Sequence, residues 1–197
     1  METVNILYVD DNTDSHISEY LSEEYEYNDV QKNYEERPFT SEDSYETLLT
    51  DEKIRLADLI IIDSVLFENA NFVNEKLAGE EFEIILKKIF PFKEMIVVTQ
   101  NDVDDDLSIL RKYDSSSKLD KKEFFENEWK PYLDDAIHRI LLYRKVLKRI
   151  EEKKYVETYF LEEIQKSLAG EDSYEKLTVE DIDKLIESFE GLKREYE

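Results

Sequence analysis

The sequence predicts an α/β fold: a doubly wound, five-stranded parallel sheet followed by an all-helical C-terminal extension. Three observations point there. Three short, apolar, β-rich runs occur before residue 100. Stretches with helical spacing lie between them. From Tyr132 onward the helical period continues with no strand interposed. Unbroken apolar runs suit strands buried on both faces, which is what a parallel sheet requires.

Val4 to Val9 (VNILYV) is the first strand. Ile17, Tyr20, Leu21 and Tyr25 fall on one helical face and form the first helix. A second strand is expected near Arg37 to Phe39, a run with little apolar character. Leu59 to Ile62 (LIII) is the third strand. Phe82, Ile85, Leu86 and Ile89 make the next helical face, and Pro91 closes it. Met95 to Thr99 (MIVVT) is the fourth strand; Leu107, Leu110 and Arg111 mark a short helix, and a fifth strand is expected near Ser115 to Leu119. Beyond it, Leu133, Ala136, Ile137, Ile140, Leu141, Leu147 and Ile150 keep a helical period, which resumes through Val156, Phe160, Ile164 and Leu168. Gly170 is a helix stop. Thr178 reads as an N-cap ahead of Glu180 and Asp181, with Ile182, Leu185, Ile186 and Phe189 as a last apolar face. The expected division is residues 1–130 for the sheet and 131–197 for the helices, one long helix or two broken near Lys153 and then a shorter one. Three glycines and three prolines leave little room for a long flexible hinge.

Composition narrows the function. Fifty acids against 26 bases give a net charge of −24. Nucleic-acid binding relies on Lys and Arg displacing counterions, so this balance argues against a DNA-binding output. Acidity also keeps proteins soluble, so it does not by itself name a partner. The chain has no cysteine, which excludes disulfides and thiolate metal sites. No apolar run is long enough to cross a membrane; the longest, LADLIIIDSVLF, contains Asp63. Met1 to Asp14 lacks the basic start and apolar stretch of a signal peptide, so a cytoplasmic location is expected.

In doubly wound sheets, sites lie just beyond the carboxyl ends of the strands. The first strand ends in Asp10 and Asp11, the third in Asp63 and the fourth in Thr99; the expected fifth ends near Lys121. Asp10 and Asp11 alone could merely solvate a loop, and Thr99 alone could be structural. An aspartate directly after LIII is costly unless it is solvated or liganded. Three carboxylates packed together repel unless a cation neutralises them, and a hard divalent ion such as Mg2+ prefers oxygen ligands. Such a set can make Asp63 a nucleophile toward phosphorus, giving an acyl phosphate. The metal and Lys121 would offset charge on the transferred group. Thr99 could then hydrogen-bond the bound phosphoryl and bias the backbone between two positions.

The segments ILYVDDN, LIIIDS, IVVTQ and KLDK, in this order, resemble the signature positions of response-regulator receiver (CheY-like) domains over roughly residues 3–130. The resemblance implies a flavodoxin/CheY-like sheet. It implies Asp10 and Asp11 as metal-binding acids, with the backbone carbonyl of Val65 as a further ligand of Mg2+. It also implies Asp63 as phospho-acceptor, Thr99 as switch hydroxyl and Lys121 as pocket lysine, with a histidine kinase or phosphotransfer protein as donor. The stretch SVLFENANFVNEKLAGEEF after Asp63 is longer than the family's usual loop, and Gly79 matches the glycine that opens the family's third helix. The segment SSSKLDKKEFF lacks the family's Lys-Pro pair, and Lys118 and Lys122 stand as rivals to Lys121. The family's aromatic position on the fifth strand holds Ser117 or Lys118.

Other motifs carry less. Asp102 and Asp104 to Asp106 (NDVDDD) lack the central glycine and terminal glutamate of a calcium hand. His16 and His138 have no zinc spacing, and no glycine-rich phosphate loop occurs. In the tail, Arg144, Lys145, Lys148, Arg149, Lys153 and Lys154 alternate with Glu151 and Glu152, which reads as a salt-bridged face. The expected output is therefore protein–protein contact of the helical tail, with a target protein or a second copy of the chain, and neither nucleic acid nor membrane. Catalysis beyond slow self-dephosphorylation is not expected. The alternative is an interaction scaffold with this fold that works without phosphorylation.

Overall fold

Five strands form one parallel sheet: β1 (Glu2–Asp10), β2 (Val30–Pro38), β3 (Leu59–Asp63), β4 (Glu94–Thr99) and β5 (Ile109–Arg111). The computed structural model describes residues 1–66, 79–101, 109–152 and 158–170. Spatial order is β2-β1-β3-β4-β5, the flavodoxin/CheY-like order, whose reversal point lies between β1 and β3. Every residue of β3 and β4 is buried, which is why both read as unbroken apolar runs.

The edge strands differ from expectation. β2 starts at Val30 and pairs with β1 over its whole length, from Glu2↔Val30 to Asp10↔Pro38. Its core-facing positions include Lys32, whose Nζ reaches the carbonyls of Leu21 (2.6 Å) and Tyr25 (2.5 Å). A lysine that covers apolar surface with its stem and finds carbonyls with its head hides a strand from hydropathy. The fifth strand is Ile109–Arg111, not the expected Ser115 to Leu119, which is a turn closed by Ser117 N–H on Asp114 O (2.8 Å). Leu110 and Arg111 thus belong to a strand rather than to a short helix.

Helices cover both faces. On one lie α1 (Ser15–Glu19), which continues as a π-helical turn over Tyr20–Glu24, and α6 (Lys130–Glu151). On the other lie α2 (Tyr45–Thr50), α3 (Glu52–Leu56) and α4 (Gly79–Ile89). A short α5 (Lys121–Phe124) runs through a second π-helical turn, Phe125–Trp129, into α6. The first face packs Ile6, Tyr8, Ile61 and Val98 against Ile17, Leu21, Leu133, Ala136, Ile137 and Ile140. The second packs Leu7, Val9, Ile60, Ile62 and Val97 against Leu48, Ile54, Phe82 and Leu86. Full burial of each such aliphatic side chain contributes roughly 1.5–3 kcal/mol.

The first turns of α6 are therefore part of the sheet's core. Past Leu141 the helix leaves the core and passes the N-terminal edge of the sheet. There Arg144 donates to Thr3 O (2.7 Å) and to Asp58 (2.7 Å), and Lys148 pairs with Glu2 (3.0 Å). These tail cations pair with the sheet rather than with Glu151, which accepts from Gln165 (2.7 Å). α7 (Thr158–Leu168) packs back along α6 and ends at Gly170, whose φ is +73°. Its carbonyl accepts from Arg55 Nε (3.1 Å), and an added Cβ would lie 2.1 Å from Arg55 O. Both constraints call for glycine. The helix stop expected at Gly170 is thus also a docking point. Lys153, Val156 and everything from Thr178 onward lie outside the described residues. Among the described residues no helix is long and apolar enough to cross a membrane.

Candidate functional site

Strand register assembles the site. β1 and β3 pair Val9 with Ile62, so Asp10 and Asp63 end their strands at the same level. β3 and β4 pair Asp63 with Val98, and β4 and β5 pair Thr99 with Arg111. The residue that follows β5 at this edge is Lys112. A cleft of about 370 Å³ opens there, lined by Asp10, Asp11, Asp63, Val65, Asn101 and Lys112 among others.

Lys112 was missed by the sequence reading, and Lys121 is corrected accordingly. Lys112 is 7% exposed; its Nζ lies 2.7 Å from Asp10 Oδ2 and 3.2 Å from Asp63 Oδ2, and its backbone N–H donates to Thr99 O (2.8 Å). Lys121 lies in α5 away from the cleft, paired with Glu19 (2.6 Å) and Glu24 (3.2 Å). The rivals Lys118 and Lys122 are exposed. The physical reason is the position of β5: the KLDK segment starts a helix, where Asp120 caps the N–H of Glu123 (2.8 Å). A lysine directly after the apolar pair Ile109-Leu110 and Arg111 was the available signal. The strand's end is fixed by Trp129, whose Nε1 donates to Arg111 O (2.8 Å).

Asp10 is 1% exposed and densely bonded. Oδ1 accepts from Asn12 N–H (2.9 Å), and Oδ2 accepts from Lys112 and from the Tyr8 hydroxyl. Asp63 is less well served. Its Oδ1 is buried and has no hydrogen-bond partner among the described residues. Burial raises the Asp63 carboxyl above its ordinary range; Lys112 opposes this, Asp10 adds to it, and the Val65 backbone N–H opposes it. For Lys112, burial disfavours the ammonium, yet the bond to Asp10 and the charges of Asp63 and Asp10 outweigh it and hold the group above its ordinary value. Lys112 is therefore a fixed positive charge at neutral pH.

Close packing stands behind Asp63. Ser64 N–H donates to Val98 O (2.8 Å), and Ser64 O accepts from Gly79 N–H (3.1 Å). A Cβ on Gly79 would sit 2.9 Å from Asp63 O and 3.1 Å from Ser64 Cα, so only glycine opens α4 this close to the end of β3.

The structure brings Asp10, Asp11, Asp63 and Val65 together at the cleft. Thr99 is buried at the end of β4, its Oγ1 accepting from Asn101 N–H (3.2 Å). Asp11 is exposed at the mouth. Ligand oxygens of Asp10, Asp11 and Asp63 all lie within 4.8 Å of one another. An all-oxygen donor set with an unsatisfied buried carboxylate oxygen fits a hard divalent cation. Residues 67–78 of the stretch after Asp63, and the NDVDDD aspartates, lie outside the described residues. His16 meets Tyr113 edge-to-face at 5.3 Å, and His138 is exposed.

No family model and no curated protein sequence matches the chain. Two solved structures are similar to it. One is a two-component transcriptional regulator AraC from Clostridium phytofermentans, at 14% identity and TM-score 0.40, covering 72% of this chain and 98% of that one. The other is the RcsB response regulator of Salmonella typhimurium, at 16% identity and TM-score 0.37, covering 85% of this chain and 91% of that one. With identities and scores this low, the residues of the cleft, not these likenesses, carry the chemistry.

Proposed function

We propose that this chain is a phospho-acceptor switch of the two-component kind, in which Asp63 takes a phosphoryl group from a histidine kinase or phosphotransfer protein. The observation that carries this reading is Asp63 itself. It is a buried carboxylate whose Oδ1 has no partner among the described residues, set in an acidic cleft 3.2 Å from a buried ammonium.

The step follows from those groups. A lone pair of the Asp63 carboxylate attacks phosphorus. The bond from phosphorus to the donor's imidazole nitrogen breaks, and its electron pair leaves with the nitrogen. The product is an acyl phosphate, and an ionised Asp63 has no proton to lose first. Lys112 faces the transferred group as a preorganised positive charge, which costs no reorganisation. Thr99 accepts from Asn101 through Oγ1 and keeps its own proton to donate to a phosphoryl oxygen. Asp10, Asp11 and Asp63, with the Val65 carbonyl, would hold Mg2+, which supplies further positive charge beside that group. Once Asp63 carries the phosphoryl, Lys112 has a new anion to follow. Its backbone bond to Thr99 O links that choice to β4 and β5.

Output through protein contacts of the helical tail suits a chain of net charge −24 better than DNA binding does. The only turnover expected is slow hydrolysis of the acyl phosphate.

The test is intact-mass measurement after incubation with acetyl phosphate, with and without Mg2+. One covalent phosphoryl adduct is expected on the wild type with Mg2+, and none on Asp63→Asn. No adduct on the wild type, under conditions that label a control receiver, would overturn the reading in favour of a scaffold that works without phosphorylation.

A further inference from the structure

Tyr8 has no part in the transfer step, yet it reaches the site. It stands on β1 two residues before Asp10, so both side chains leave the same face of the sheet. Its ring is 1% exposed within the core. Its hydroxyl donates to Asp10 Oδ2 and accepts from the backbone N–H of Asp14 (3.4 Å), the N-cap of α1. Both capacities of the phenol are thus used.

The consequence appears when the lone pairs of Asp10 are counted. An ionised carboxylate has about four acceptor positions. On Oδ2, one is taken by Tyr8 and one by Lys112 (2.7 Å). On Oδ1, one is taken by Asn12 N–H (2.9 Å). A single position on Oδ1 is left over. The geometry points to Tyr8 as a specificity-determining residue that confines Asp10 to one-point coordination and so favours Mg2+ over Ca2+ at this cleft. The inference rests on the cation reading given above.

The chemistry of the two ions supports the assignment. Ca2+ takes six to eight oxygens and commonly uses a carboxylate through both of its oxygens. Mg2+ needs near-octahedral geometry, keeps several waters and is content with single carboxylate oxygens. Holding Oδ2 shut against a cation therefore penalises Ca2+ more. Phenylalanine at position 8 would keep the ring in the core, free a lone pair on Oδ2 and loosen the carboxylate.

The experiment is calorimetric titration of the full chain with MgCl2 and with CaCl2, for wild type, Tyr8→Phe and Tyr20→Phe. Tyr20 is a fair control: its ring is as buried and its hydroxyl has no partner among the described residues. Tyr8→Phe is expected to weaken Mg2+ binding about tenfold, the scale seen when a carboxylate ligand loses its supporting hydrogen bond. Ca2+ binding should hold or tighten, so discrimination falls by about the same factor. Tyr20→Phe should leave the ratio at its wild-type value, and urea midpoints would confirm that all three chains are folded. An unchanged ratio in Tyr8→Phe, or an equal fall in Tyr20→Phe, overturns the inference and leaves the proposed function standing. A wild type that binds neither ion overturns the inference and the cation reading together.

Discussion

Replacing Lys112 by methionine tests the centre of the site. The ammonium lies 2.7 Å from Asp10 and 3.2 Å from Asp63. At an effective dielectric of about 20, each contact is worth roughly 5–6 kcal/mol of attraction, before the desolvation of three buried groups is subtracted. Removing one partner from buried ion pairs costs about 3–5 kcal/mol, because the remaining charges stay buried. The metal-free variant is therefore expected to lose about 3 kcal/mol at neutral pH. The sign of its pH dependence also follows. Burial already raises the Asp63 carboxyl, and Lys112 opposes that rise. Without Lys112 it rises further, so the folded variant binds a proton that the unfolded chain releases. Its stability then grows as pH falls through the folded value of Asp63. The deficit should shrink as the pH is lowered from neutral into the acidic range. Mg2+ should also raise the urea midpoint of the variant more than that of the wild type, since it answers the same negative charge. Urea unfolding followed by Trp129 fluorescence measures all four conditions. A deficit indifferent to both pH and Mg2+ would refute the claim that Lys112 balances these carboxylates.

Three further outcomes are expected. Lys121→Ala, which removes a surface lysine paired with Glu19 and Glu24, should leave acetyl-phosphate labelling at its wild-type rate; a loss of labelling would return the pocket role to Lys121. Gly79→Ala forces a Cβ to 2.9 Å from Asp63 O and should lower stability by roughly 1–3 kcal/mol in urea titration, with slower labelling. Burial pushes the Lys93 ammonium down to about 8, so across the window from there to 10.5 the unfolded chain holds more protons and this lysine makes stability rise with pH. The wild-type midpoint should accordingly gain on Lys93→Met over that window, and a constant difference would count against a buried, depressed lysine.

Much of this was legible in the sequence where burial and chain composition agree. β1, β3 and β4 announced themselves because central parallel strands are apolar on both faces, and Asp10, Asp63 and Thr99 were found by asking what ends them. The edges were not legible. β2 carries Lys32 at a core-facing position, satisfied by carbonyls of Leu21 and Tyr25, so its alternation was masked. β5 has only three residues, and the spacing of Leu107, Leu110 and Arg111 fits a helical turn as well as it fits the end of a short strand. Misplacing β5 displaced the lysine with it, because the site lysine is defined by where that strand stops. Tyr8 was invisible for another reason. Within VNILYV it reads as one more core residue, and only the structure shows its hydroxyl at Asp10.

Helix α6 has 22 residues, about 33 Å of rod. Its buried residues end at Ile140, and the last three turns, about 16 Å, are held at the sheet's N-terminal edge mainly by the polar contacts of Arg144 and Lys148. Such a rod is a lever with unequal arms. A tilt of about 10° at the seat moves the far tip by about 3 Å. The α7 end of that arm is tied back to α3, where Arg55 Nε donates to Gly170 O at 3.1 Å, a bond with no slack of that size. An angular adjustment of that size at the core would strain this hydrogen bond together with the Arg144 and Lys148 contacts.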